Sequence, residues 1–167
     1  VITTSYSEPA TATVQAEGDG LVTNETNVYK TGIYDSSEYT DAYGEGMVVA
    51  ILDTGLDYTH PAFQEFESDP VETRWNKQDV KALLDSKNLN AEEKTSGLEV
   101  SDVYMSDKVP YAYDYADDDA DVYPSYSNHG THVAGIIGGY DTNGYTDKDG
   151  NPVKETFKGV VPDAQLA

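Results

Sequence analysis

The stretch VVAILDTGLDYTHP, Val48 to Pro61, is an apolar run that breaks into Asp-Thr-Gly. Met47 to Leu52 is uninterrupted and rich in β-branched residues, the composition of a central parallel strand covered on both faces. Asp53 then falls at the carboxyl end of that strand. In open α/β sheets this is the edge where ligands and chemistry gather. Asp-Thr-Gly in such a place serves two unrelated chemistries: a pair of carboxylates sharing one proton, or an aspartate that orients a histidine, which in turn activates a serine.

The second informative stretch is SNHGTHVAGIIGG, Ser127 to Gly139. Ser127 or Asn128 can cap a helix, Val133, Ala134, Ile136 and Ile137 cluster at helical spacing, and Gly138-Gly139 ends the run. His129 and His132 therefore lie in the first turn of a helix. A shared-proton mechanism needs two Asp-Thr-Gly or Asp-Ser-Gly loops, and this chain carries one, so a homodimer would have to supply the other. That scheme has no use for a helix headed by His-Gly-Thr-His. The order Asp then His, with Ser still to come, is one of the known orders of a Ser-His-Asp triad. A metal shared by His129 and His132 would lack the glutamate of a His-Glu-x-x-His helix. Asp57 and His60 read as residues that hold the loop after the strand, with His60 a candidate for the wall of a cleft.

On these two motifs the chain resembles the subtilisin-like serine peptidases, the subtilases, and FKGVVPDAQLA, Phe157 to Ala167, resembles the strand entry that follows in that family. The resemblance implies an α/β fold, a doubly wound parallel sheet left incomplete in this chain. It also implies Asp53 as the orienting acid, His129 as the general base and His132 as a structural helix residue. The family's Gly-Thr-Ser-x-Ala serine motif and its oxyanion-hole asparagine do not occur in these residues. The expectation is therefore an N-terminal piece of a longer peptidase, held to a second polypeptide segment that brings the serine and the asparagine. Autoproteolytic maturation is one way to make such a break at Ala167.

DKVPYAYDYADDDADVYPSYSNHGTHVAG, Asp107 to Gly135, is more narrowly similar to the cell-envelope proteinases of Gram-positive bacteria, which include lactocepins and the C5a peptidase type. That resemblance implies a secreted or wall-associated enzyme acting on protein substrates. A competing expectation is a noncatalytic binding or adhesion module that keeps the fold without a working serine.

Bulk composition narrows the partners. The 167 residues carry 10 Lys+Arg against 31 Asp+Glu, a formal charge of −21 that repels nucleic-acid phosphates and anionic membrane surfaces. No apolar run reaches membrane-spanning length, so no membrane insertion is expected. Cysteine is absent, which excludes disulfides, thiolate metal sites and cysteine nucleophiles within the chain. The first residues carry neither an initiator Met nor a basic and apolar signal, so any targeting segment is expected to have been removed.

Residues 1–27 read as a polar leader or surface arm, and residues 28–167 as the N-terminal part of the catalytic domain. Short helices are expected at Tyr39 to Tyr43 and, with Asp79 at its amino end, from Asp79 to Leu89. Val109 to Tyr115 reads as a strand running into an acidic turn at Asp117 to Asp121, and Tyr140 to Asn151 as a loop. The chemistry requires no cofactor. Many subtilases bind calcium after the histidine helix, and Asp141, Asn143, Asp147, Asp149 and Asn151 offer hard oxygen ligands for a structural ion there.

Overall fold

The computed structural model describes residues 43–86, 97–146, 149–154 and 157–167. The leader at 1–27 and all but Tyr43 of the helix expected at 39–43 lie outside the described residues. Strand β1, Val48–Val49, pairs in parallel with β6, Gln165–Leu166, with Val48 opposite Gln165 and Val49 opposite Leu166. The ladder continues past both strands, because the Ile51 amide donates to Ala167 O at 2.6 Å and the Ala167 amide to Val49 O at 2.9 Å. Asp53 is thus delivered two residues beyond a hydrogen-bonded position.

Parallel strands need a long crossover, and here it contains helix α3, His129–Gly138. Gly138 lets that helix press on β6: a Cβ there would stand 2.8 Å from Leu166 Cδ2. Phe63, Val109, Ala134 and Leu166 form the buried cluster between helix, strands and flanking loops, with Val49, Ile51, Leu56 and Ile137 packed against it. Burying a side chain such as Phe63, Val109 or Leu166 contributes about 1.5–3 kcal/mol.

The remaining elements are small. Helix α1, Lys77–Ser86, begins two residues earlier than Asp79 because Asn76 caps it, its Oδ1 accepting from the Gln78 amide at 2.8 Å. Val80 faces inward from this helix, and residues 87–89 of the expected element lie outside the described ones. Helix α2, Val100–Val103, was not foreseen; the Asp102 carboxylate holds its entry by accepting the Glu99 amide at 2.8 Å.

Two sequence readings are corrected. Val109 to Tyr115 is not a strand: Pro110 has no amide to donate, and the Val109 amide is taken by Ser106 Oγ at 3.0 Å. Only an isolated bridge, Asp114 to Asp119, marks the acidic turn, where the Asp114 carboxylate accepts the Ala116 amide at 2.7 Å and the Asp117 amide at 3.0 Å. Tyr140 to Asn151 is not a plain loop. It holds β2, Tyr140–Asp141, antiparallel to β5, Phe157–Lys158, and β3, Tyr145–Thr146, antiparallel to β4, Pro152–Val153. Gly, Asn and Asp mask these ladders in the sequence, since the strands are only two residues long.

The described residues therefore make an α/β arrangement with one parallel strand pair and two antiparallel ones. Among them β1 has a single strand neighbour, and Leu52 beside it is 93% exposed rather than covered.

Candidate active site

Asp53 and His129 arrive from the end of β1 and the start of α3. His129 Nδ1 lies 2.8 Å from Asp53 Oδ1 and 2.9 Å from Oδ2. The carboxylate side chain is 17% exposed and the imidazole 65% exposed, so the acid is sheltered and the ring is open. The His129 hydrogen bond and, after it, the Thr54 amide, which donates to Oδ1 at 2.7 Å, hold the Asp53 carboxyl below its usual range.

Thr54 fixes the distance between the two elements. Its hydroxyl accepts from the Gly130 amide and donates to Ser127 O, both at 3.1 Å, so one side chain satisfies a free amide of the first helical turn and clamps the residue before the cap. Of the two residues able to cap, Asn128 takes the cap position but its side chain makes no cap bond; the Ser127 Oγ, one residue before it, accepts the His129 amide at 3.2 Å. Gly130 is dictated by the approach. A Cβ there would sit 2.2 Å from Gly55 O and 3.2 Å from Asp53 Cβ. Gly55 itself has φ +109°, and its loop is tied down by the Leu56 amide donating to Val122 O at 2.8 Å.

Asp57 and His60 take local bonds. The Asp57 amide donates to Thr131 Oγ1 at 2.9 Å, and its carboxylate accepts from the Thr59 hydroxyl at 2.6 Å and the Tyr123 hydroxyl at 3.4 Å. His60 Nδ1 accepts the Ala62 amide at 3.2 Å and so caps the short 3-10 turn Pro61–Phe63. His132 and His60 share a cavity of about 210 Å³ with Phe63, Thr131, Gly135 and Phe157. Thr54 and Tyr123 were not singled out from the sequence. A hydroxyl directly after the aspartate of a turn is a usable signal for Thr54, whereas Tyr123 is one of fourteen tyrosines with nothing to mark it.

Of the calcium candidates, Asp141, Asn143, Asp149 and Asn151 lie among the described residues. Asp141 Oδ1 accepts both the backbone amide of Asn143, at 2.8 Å, and its side-chain amide, at 3.0 Å. Asp147 lies outside the described residues, and among those described no group of three or more His, Cys, Asp or Glu converges as a metal site requires. No helix of the described residues is long and apolar enough to cross a membrane.

The family model of the Subtilase family matches residues 44–167, which takes in both motifs and both elements of the site. The chain belongs to the subtilase family. It is 36% identical over 125 residues to a PII-type proteinase of Lacticaseibacillus paracasei, a match covering 74% of this chain and 6% of that protein. A PII-type proteinase of Lactococcus lactis subsp. cremoris is 35% identical over the same length, again 6% of that protein. A C5a peptidase of Streptococcus pyogenes serotype M18 is 30% identical over 125 residues, covering 9% of its length. The chain thus spans less than a tenth of these relatives. The C5a peptidase type indicated by the segment before His129 is among them, which bears out the narrower resemblance.

Proposed function

We propose that this subtilase chain is the Asp- and His-bearing part of a secreted or cell-wall-associated serine endopeptidase that hydrolyses peptide bonds of protein substrates. The observation that carries the reading is the contact of His129 Nδ1 with both oxygens of Asp53, at 2.8 and 2.9 Å. With the Nδ1 proton donated to the carboxylate, the lone pair of the neutral ring resides on Nε2, in a side chain 65% open to solvent. A serine hydroxyl brought against Nε2 gives up its proton as its oxygen attacks the peptide carbonyl. Asp53 stabilises the resulting imidazolium, which returns the proton to the departing amine. Water then enters by the same route and frees the serine from its acyl ester.

The serine and an asparagine donor for the oxyanion come, on this reading, from a second polypeptide segment. Apolar surface left open beside the Asp53 strand supports such a partner, Met47 being 60% and Leu52 93% exposed. Proteolysis is supported by the PII-type proteinases and the C5a peptidase among the relatives. An extracellular or wall location is supported by the Gram-positive organisms those relatives come from.

The test is labelling with a fluorophosphonate, which reacts with a serine only where a base activates it. In the protein uniting this chain with its serine-bearing segment, one adduct is expected on that segment, and none after His129→Ala. A wild-type assembly that folds and takes no label is a noncatalytic module.

A further inference from the structure

Lys108 sits in the interior at 1% exposure. Its Nζ donates to the carbonyl oxygens of Pro162 and Ala164, the latter at 3.0 Å, and stands 4.6 Å from the centroid of the Phe66 ring. Two carbonyls and a ring face suit the three donors of an ammonium. What the surroundings lack is a countercharge in contact. Asp163 is the acid whose charge reaches Lys108, yet its carboxylate is turned to Ser68, accepting the amide at 2.9 Å and the hydroxyl at 2.5 Å. Glu67, next to Phe66, binds Lys158 Nζ at 2.6 Å, and Asp107, next to Lys108, accepts the Tyr104 hydroxyl. Among the described residues no carboxylate pairs with Lys108.

The position of this amine gives it leverage. The two carbonyls it holds flank Asp163 in the turn that leads into β6, and the Lys108 carbonyl accepts the Leu166 amide at 2.9 Å. From β6 the Gln165 amide donates to Met47 O at 2.9 Å, and Ala167 O accepts the Ile51 amide, two residues short of Asp53. We propose that Lys108 is a proton-responsive positioning residue, its buried amino group setting how firmly β6, and through it the Asp53 end of β1, is held. The consequence for catalysis rests on the Asp53–His129 reading, whereas the holding of the strands does not.

The direction of the response follows from burial. Burial pushes the Lys108 amine down to about 7, against the opposing pull of the Asp163 charge, while the unfolded chain keeps its proton up to the ordinary 10.5. Between those values the unfolded chain binds more protons, so the joint tightens as pH rises. Below about 7 both states carry the proton, so stability no longer changes with pH through this group, and the joint holds a buried ammonium with two carbonyls and a ring but no carboxylate in contact.

The experiment uses the 167-residue chain. Amide hydrogen exchange at Ile51, Gln165 and Ala167, corrected for intrinsic rates, is followed from about pH 6 to about pH 9 alongside an NMR titration of the Lys108 side chain. The proposal expects a Lys108 midpoint near 7, with protection of the three amides rising by up to about tenfold per pH unit above it. In Lys108→Met, which keeps the aliphatic stem, protection is expected to stay flat. A midpoint near the ordinary lysine value, flat protection in the wild type, or the same rise in the variant overturns the proposal. Should the variant not fold, the wild-type titration and protection decide alone.

Discussion

The two ends of the β1–β6 pair are held in contrasting ways. At the carboxyl end of β1 the polar groups face outward: the His129 ring is 65% exposed, and two hydroxyls, those of Thr54 and Thr131, span the gap between loop and helix. Beside β6 the polar groups are sealed. Gln165 is 1% exposed, and its side chain accepts the Trp75 amide at 2.8 Å while donating to Trp75 O and Asp107 O at 2.7 Å each; Lys108 and Asp163 are equally enclosed. A buried hydrogen bond is costly to lose because its partners are stranded, whereas an exposed one is replaced by water. Rigidity therefore comes from the β6 side, and the open side keeps the His129 ring accessible.

If that division is right, substitutions on the two sides should part activity from stability. Asp53→Asn is expected to have the largest effect on turnover of the assembled enzyme, a loss of about 10⁴-fold in kcat, because the amide favours the wrong tautomer of His129. Urea unfolding of the same variant should shift little, and a large stability loss would show that Asp53 belongs to the structural side.

Gly130→Ala sharpens the boundary from the other direction. The added methyl would meet Gly55 O at 2.2 Å, so helix and loop must separate, at a cost of about 3 kcal/mol or more in the urea midpoint and with loss of fluorophosphonate labelling. Gln165→Leu takes their side-chain partner from the Trp75 amide, the Trp75 carbonyl and the Asp107 carbonyl in the interior. Unfolding stability should fall by about 2–3 kcal/mol with no change in the pH profile of activity.

Thr54→Val is the mildest of these. It removes one exposed and one part-buried bond and keeps the shape, so about 1 kcal/mol of stability is expected to go, together with a modest drop in labelling rate. A drop as large as that of Gln165→Leu would erase the contrast between the two sides.

The sequence disclosed the Asp53–His129 pairing more readily than the frame. Asp53 and His129 were legible because each is tied to a local pattern, an apolar run before one and helical spacing after the other. Gly138-Gly139 and the Asp117 to Asp121 turn were legible for the same reason, since turn residues act over one or two positions. The β6 joint was not, because its partners come from far along the chain: Lys108 meets Pro162 and Ala164, and Gln165 meets Trp75. Neither Lys108, after Asp107, nor Gln165, between Ala164 and Leu166, has a local pattern that marks it as buried. Val109 to Tyr115 failed as a strand for a related reason, its alternation imitating a ladder that Pro110 and the Ser106 hydroxyl prevent.

The central claim is that Asp53 fixes the tautomer of His129, and it is tested most directly by long-range ¹⁵N–¹H correlation of the His129 ring in this chain, at a pH where the ring is neutral. The account predicts a proton on Nδ1 and a bare Nε2, with the Nδ1 signal shifted far downfield and that shift lost in Asp53→Asn. Because the Asp53 carboxyl is held below its ordinary 3.8, lowering the pH should leave the carboxylate ionised until it falls below that value, where the contribution of the pair is lost. A neutral ring protonated on Nε2 in the wild type would contradict the account, since the nitrogen left for a serine would then carry no lone pair.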